Sequence, residues 1–358
     1  HNTQHTAHTH YTTHTHTPRQ SIQMASSTTS TSALDVAADG IGDRVQLEEN
    51  TEDWERAQAA SKKDGKRVLI VGASSGMGAA LALRYASHMK ARVCVSARRV
   101  DRLHEVAAQC EQLGAVETLC VRADVSERAQ CRALIAEVAQ KWGGIDVMVY
   151  CVGQAMHSLF ADITHLQAVM DRMMTTNFFG AVHCTHYAFP YLQASRGILG
   201  VVSSVAGGIS PPYLTFYAAA KHAVHGFFEA LSNEEPGFAV CILCPGYVAT
   251  EIDDKKMMGD GQVRSVELNV DRSKYMSVEK AAKLMVDALG KRKKLFHLTT
   301  AGSMGVTLRS LFPGTIDSAV RKEMKTITDE EKIRKRKEQE QRKIANESGG
   351  AAAVVEDA

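Results

Sequence analysis

Arg67-Val68-Leu69-Ile70-Val71 runs without a break into Gly72-Ala73-Ser74-Ser75-Gly76-Met77-Gly78. The short apolar run predicts a buried strand, and the glycine-punctuated heptapeptide predicts a tight turn that opens a helix. Glycine lets the chain turn sharply and lets a ligand approach the backbone closely. The helix amino end adds unpaired N–H groups and partial positive charge, so the unit suits a diphosphate. The spacing is Gly-x-x-x-Gly-x-Gly rather than the Gly-x-Gly-x-x-Gly of the usual dinucleotide fingerprint. A strand, a glycine turn and a helix in this order belong to an open α/β sheet.

Further along, Ile198 to Val202 predicts another buried strand and ends in Ser203-Ser204, at the carboxyl edge where open α/β sheets place ligands. The stretch from Phe216 to Glu229 has helical periodicity. Within it Tyr217 and Lys221 stand four apart and share a face. A free phenol has a pKa of about 10, so an adjacent ammonium is needed to bring it toward use as a general acid/base. Ser204 can then hydrogen-bond the reacting oxygen. Tyr-x-x-x-Lys alone is common on helices and gains weight only from its context.

In that context the chain resembles the short-chain dehydrogenase/reductase superfamily. The matches fall in family order: Gly72/Gly76/Gly78, Asp124, Asn177, Ser204, Tyr217/Lys221, then Pro245-Gly246 with Thr250. They cover roughly residues 64 to 300. Ser-Ala-Arg-Arg after the second strand and Val-Ser-Ser-Val-Ala-Gly before the tyrosine look like the 11β-hydroxysteroid dehydrogenase side of the family. The resemblance implies a single doubly wound Rossmann-type α/β domain, with a parallel sheet of about seven strands flanked by helices. It implies a catalytic tetrad of Asn177, Ser204, Tyr217 and Lys221, with Asn177 holding a relay water. It also implies a cofactor held by Gly72, Ser74, Ser75, Gly76, Met77, Gly78, Arg98, Arg99, Asp124, Val125, Gly153, Pro245, Gly246, Val248 and Thr250.

The second strand, Ala91 to Ser96, ends in Ala97-Arg98-Arg99. An NAD site wants a carboxylate there for the ribose hydroxyl, whereas a guanidinium can pair the 2′-phosphate of NADP, so NADP(H) is the expected cofactor. The third strand, Val116 to Arg122, leads to Asp124, expected near the adenine. The fourth, Ile145 to Cys151, departs from the family pattern: Tyr150-Cys151-Val152-Gly153 stands where Asn-Asn-Ala-Gly is usual. This loop keeps open a second reading, a non-catalytic NADP-binding sensor or scaffold. One long helix is expected from about His165 to Tyr191, a sixth strand over Phe238 to Cys244, a helix over Val278 to Gly290 and a last strand near Leu295 to Thr299. Residues 251–277 match the family's substrate lid. Met257 and Met258, with Met156 and Met170, suit a pocket for a hydrophobic steroid-, retinoid- or lipid-like carbonyl or alcohol.

The ends read differently. Residues 1–63 are expected to be disordered, with the His/Thr alternation of 1–23 read as translated untranslated sequence and the natural start at Met24. The catalytic domain is expected over 64–315, and a charged, largely disordered tail over 316–358. Residues 302–312 could cover the substrate mouth, join a dimer or rest on a membrane surface, so peripheral membrane contact stays open. A net charge of +2 points to no nucleic acid, and eight scattered cysteines are expected to be reduced, with no metal site; Cys241 and Cys244, three apart in a strand, face opposite ways. The expected compartment is the cytoplasm, and self-association is expected from the family analogy.

Overall fold

The computed structural model of the protein describes residues 65–253 and 255–329. The expectations for residues 1–63, including a start at Met24, and for the tail from 330 onward lie outside the described residues.

The chain runs β1 (Arg67–Val71), α1 (Gly76–Met89), β2 (Arg92–Ala97), α2 (Val100–Gln112), β3 (Glu117–Arg122), α3 (Arg128–Trp142) and β4 (Val147–Tyr150). Next come α4 (Leu166–Met174), a π-helical turn (Thr175–Phe179), α5 (Gly180–Ala194), β5 (Ile198–Val202), α6 (Thr215–Glu234) and β6 (Ala239–Cys244). A short hairpin of β7 (Lys256–Met257) and β8 (Val263–Arg264) follows, then α7 (Val278–Gly290), β9 (Leu295–His297), α8 (Thr300–Leu311) and α9 (Pro313–Ile327). Seven strands form one sheet in the order β3-β2-β1-β4-β5-β6-β9. Every pairing within it is parallel.

A parallel sheet buries both faces, and β1 has the composition for it. Val68 and Ile70 pack into one core with α1, α2 and α7, while Leu69 and Val71 pack into the other with α3, α5 and α6. Each such side chain removed from water contributes roughly 1.5–3 kcal/mol. The strand order reverses between β1 and β4, which opens a crevice at their carboxyl ends. Gly72, at φ 90°, and the Cys151-Val152 peptide meet there so closely that a methyl on Gly72 would lie 2.9 Å from the Val152 nitrogen.

The opposite edge is tied by charge. Arg67 donates from Nε at 3.0 Å and from Nη2 at 2.7 Å to the Asp146 carboxylate, and its backbone N–H donates to the same group at 2.8 Å. This buried pair fixes β1 against the entry to β4.

Two expectations need correcting. The helix expected as one piece from His165 to Tyr191 is broken by the π turn, where the Gly180 N–H reaches back to the Thr175 carbonyl. Asn177 contributes to the break, because its Nδ2 takes the Met173 carbonyl at 3.0 Å, an acceptor that an α-helix gives to a backbone N–H. Residues 316–327, expected to begin the charged tail, lie in α9. Ile316, Val320, Met324 and Ile327 line one face of it, with Met324 and Ile327 buried, and dense charge on the other face hides that stripe. Residues 302–311 fall in α8, whose Met304, Leu308 and Leu311 stay exposed, with Phe312 exposed beyond its end. Among the described residues no helix is long and apolar enough to cross a membrane, and no cluster of metal-binding side chains occurs.

Candidate active site

Two strand ends and a helix deliver the predicted residues to one place. β5 carries Ser203 and Ser204 out at its carboxyl end, β4 carries Gly153, and α6 lies across them with Tyr217 and Lys221. The Lys221 ammonium stands 5.6 Å from the centre of the Tyr217 ring. It is almost wholly buried and donates to the Val202 carbonyl at 3.1 Å, the last residue of β5. Burial holds its pKa down at about 8, although the Cys244 and Cys151 thiols pull it the other way. Cys151 is itself pushed up to about 12 by burial, against the pull of Lys221, and is therefore a neutral neighbour at ordinary pH.

Asn177 comes to the same point from the π turn. A methyl on Gly153 would lie 3.2 Å from its Oδ1 and 3.7 Å from Lys221 Nζ, so glycine leaves room between them. The amide is fully engaged: Oδ1 accepts from the Gln154 N–H at 3.2 Å, and Nδ2 donates to the Gln154 carbonyl and to the Met173 carbonyl, both at 3.0 Å. Gln154 was missed in the sequence, where nothing marks its backbone as the partner of a residue on another element. Ser204 Oγ accepts from the Ala206 N–H at 3.1 Å, which fixes the hydroxyl at the mouth of β5.

Tyr150, the departure from the family pattern, is buried and donates from its phenol to the Thr176 carbonyl at 2.7 Å. The bond joins β4 to the residue just before Asn177. Gly180 makes this possible, since a methyl there would collide with the phenol oxygen.

The glycine turn is equally tight. A methyl on Gly78 would strike the Gly72 carbonyl, and one on Gly76 would lie 3.3 Å from Thr250 Cγ2. Ser75 precedes α1 without capping it, and the first turn of α1 carries no acidic residue. Thr250 Oγ1 is buried with no hydrogen-bond partner. Unused helix N–H groups beside an orphaned hydroxyl fit a dinucleotide diphosphate. Beside them lies a hollow of about 330 Å³ lined by Gly76, Ala249, Thr250, Glu251, Arg272, Tyr275 and Val278. Met77 packs its side chain against the core under α1.

The remaining candidates are less uniform. Arg99 reaches the glycine turn, donating to Ser74 Oγ at 3.0 Å and to Ser75 Oγ at 2.7 Å. Arg98, the expected phosphate partner, points instead to Asp124, 3.6 Å from its Oδ2. Asp124 accepts from the Ser126 N–H and hydroxyl at 3.1 and 2.8 Å. Partial burial is the largest influence on that carboxyl and raises its pKa, but the Ser126 bonds and the Arg98 charge together outweigh it and leave the pKa below the ordinary value. Val125 has its side chain in the core. Pro245 accepts the Val205 N–H at 3.0 Å, Gly246 faces Thr299, and Val248 is buried in a bridge to Met276. Met156 and Met257 bridge each other and pack, fully buried, in a cluster that Tyr217 borders.

Residues 66–260 match the family model described as short chain dehydrogenase. The "Dehydrogenase/reductase SDR family protein 7-like" of Dictyostelium discoideum is 32% identical over 73% of this chain and 83% of its own length. The "11-beta-hydroxysteroid dehydrogenase 1A" of Arabidopsis thaliana is 39% identical over 56% of this chain, and the match spans 57% of that protein. Two solved structures share the fold. The short chain dehydrogenase/reductase from Burkholderia phymatum in complex with NAD has a TM-score of 0.62 at 24% identity, over 69% of this chain and 94% of its own. The alcohol dehydrogenase from Thermococcus sibiricus complexed with 5-hydroxy-NADP has a TM-score of 0.56 at 23% identity, over 65% and 95%. The chain therefore belongs to the short-chain dehydrogenase/reductase family, as a nucleotide-binding oxidoreductase of its 11β-hydroxysteroid dehydrogenase-like side.

Proposed function

We propose that this protein interconverts a carbonyl and an alcohol on a hydrophobic, steroid-, retinoid- or lipid-like substrate, with NADP(H) as the partner. The observation that carries the reading is that Asn177 and Lys221 meet at Gly153, at the switch point of the sheet, with the Tyr217 ring beside Lys221. Bound, the nicotinamide supplies or takes a hydride. The chain's own residues handle the proton. In the reducing direction Tyr217 donates its phenolic proton to the carbonyl oxygen, becoming phenolate as that oxygen becomes hydroxyl. Ser204 hydrogen-bonds the same oxygen and orients it. Lys221, held rigid by the Val202 carbonyl, stabilises the phenolate by its charge. Asn177, held in place by Gln154 and Met173, positions the water through which the proton is replaced from the Lys221 side.

NADP(H) is supported by the end of β2. Ala97 stands where a carboxylate would bind a ribose hydroxyl, and two arginines follow. A hydrophobic substrate is supported by the methionine cluster, because Met156 and Met257 can repack around bulky apolar groups once the hairpin lifts. The Tyr150 bond to Thr176 supports catalysis over the sensor reading, since it braces the altered loop against the helix that holds Asn177.

The test is consumption of NADPH and of NADH with a panel of steroid, retinoid, quinone and aliphatic carbonyls. The expected outcome is NADPH-dependent turnover on the bulkier apolar carbonyls. Binding of NADPH with no turnover on any carbonyl would instead establish the sensor.

A further inference from the structure

We propose that Glu251 is a latch, whose carboxylate holds Arg99 and the first residue of the lid on the glycine turn and is displaced by the 2′-phosphate of the cofactor. The proposal rests on the NADP(H) reading above and adds to it a residue that neither the glycine motif nor the tetrad contains.

The geometry is a small cage of donors. Arg99 Nη1 donates to Glu251 Oε2 at 2.9 Å, and Ser75 Oγ donates to the same oxygen at 3.3 Å. Arg99 also spans Ser74 through Nε at 3.2 Å and Nη2 at 3.0 Å, and reaches Ser75 through Nη2 at 2.7 Å. A guanidinium and two hydroxyls at the mouth of a glycine turn form the donor set a phosphate dianion takes. Glu251 supplies a resident anion to that set, and Arg99, first among the influences on it, holds its pKa below the ordinary carboxylate value. A phosphate brings more charge and three acceptor oxygens against a single contacting carboxylate oxygen, so it competes effectively. Both side chains of the ion pair are about half exposed, 48% for Arg99 and 52% for Glu251, so the contact is open to exchange.

What the latch holds is the lid. Ile252 follows at once, and its Cδ1 would lie 3.7 Å from a methyl on Gly153. A few residues on, Met257 pairs with Met156, and the cluster they form borders Tyr217. Release of Glu251 frees the start of the segment whose Met257 packs in the cluster that Tyr217 borders. Cofactor binding therefore precedes and promotes opening of the substrate site, because one anion position serves both events.

The experiment uses the full chain and two cofactor fragments, 2′,5′-ADP and 5′-AMP, with dissociation constants measured by calorimetry for wild type and Glu251→Gln. The lid is followed in parallel by the rate of tryptic cleavage at Lys255, Lys256 or Arg264. The latch predicts that Glu251→Gln binds 2′,5′-ADP about tenfold more tightly, the factor expected if the latch is closed in about nine of ten molecules, with 5′-AMP unaffected. It also predicts that 2′,5′-ADP accelerates lid cleavage in wild type, and that cleavage in Glu251→Gln is fast without it. If both proteins prefer 2′,5′-ADP to 5′-AMP but bind it equally, the latch is overturned and the NADP(H) reading stands. If neither prefers 2′,5′-ADP, the NADP(H) reading fails and the latch fails with it.

Discussion

The phenol of Tyr150 donates a 2.7 Å hydrogen bond to the carbonyl of Thr176, joining the end of β4 to the turn that carries Asn177. The bond steadies the end of β4 and the turn that carries Asn177 from one side chain. Tyr150→Phe leaves a buried carbonyl without its partner and is expected to lower the unfolding free energy by about 1–3 kcal/mol. Tyr150→Asn restores the family residue but cannot reach Thr176 and opens a cavity, so its loss is expected to be larger. Urea denaturation of the two variants checks the order, and an Asn variant as stable as wild type would contradict it.

Arg67 and Asp146 form a buried pair with several hydrogen bonds at the amino edge of the sheet. Removing one partner strands the other charge, so Arg67→Ala is expected to cost about 3–5 kcal/mol. The paired change Arg67→Met with Asp146→Leu is expected to recover most of that loss. A double-mutant cycle in chemical denaturation measures the coupling.

At Gly78 an added methyl meets backbone, the Gly72 carbonyl, which has nowhere to go. Gly78→Ala is therefore expected to distort the turn and weaken binding of either nicotinamide cofactor by more than tenfold, about 1.4 kcal/mol. Fluorescence titration with NADPH checks it. Gly226→Ala, in α6 where a methyl meets nothing within 4 Å, is the control and is expected to leave the affinity unchanged.

Lys221 titrates at about 8, depressed by burial. Below that pH it is an ammonium, which in the proposed mechanism supports a Tyr217 phenolate, and above it the charge is lost. The kcat/KM for carbonyl reduction is expected to fall about tenfold per pH unit above 8. Lys221→Arg keeps its charge throughout and is expected to lose that limb, though at a lower plateau. A full pH–rate profile of both proteins distinguishes this from a general loss of activity.

Much of the site could be read in the sequence because its chemistry is local. The glycine turn follows its strand directly, and Tyr217 and Lys221 are one helical turn apart, so spacing alone puts them together. What escaped depends on contacts between distant segments. Arg98 and Arg99 are adjacent, and only the path of the chain after β2 sends Arg99 to Ser74 and Ser75 and leaves Arg98 facing Asp124. The π turn at Asn177 arises from a side-chain bond to the Met173 carbonyl, which helical periodicity cannot register. α9 was hidden because charges are interleaved with its apolar residues, and its tie to the distant chain appears only where the Ile327 carbonyl accepts the Asn269 N–H at 2.8 Å. The methionine cluster was half legible: the residues were visible, but that Met156 and Met257 meet in a cluster bordered by Tyr217 was not.

The central claim is that Tyr217 delivers the proton while the nicotinamide delivers the hydride. The most direct measurement is single-turnover oxidation of bound NADPH by a carbonyl substrate, in wild type and Tyr217→Phe, with NADPH affinity determined separately for each. The account predicts unchanged NADPH affinity and a rate lower by roughly 10²–10⁴-fold in the phenylalanine variant. A Tyr217→Phe enzyme that binds NADPH normally and oxidises it at the wild-type rate would contradict it.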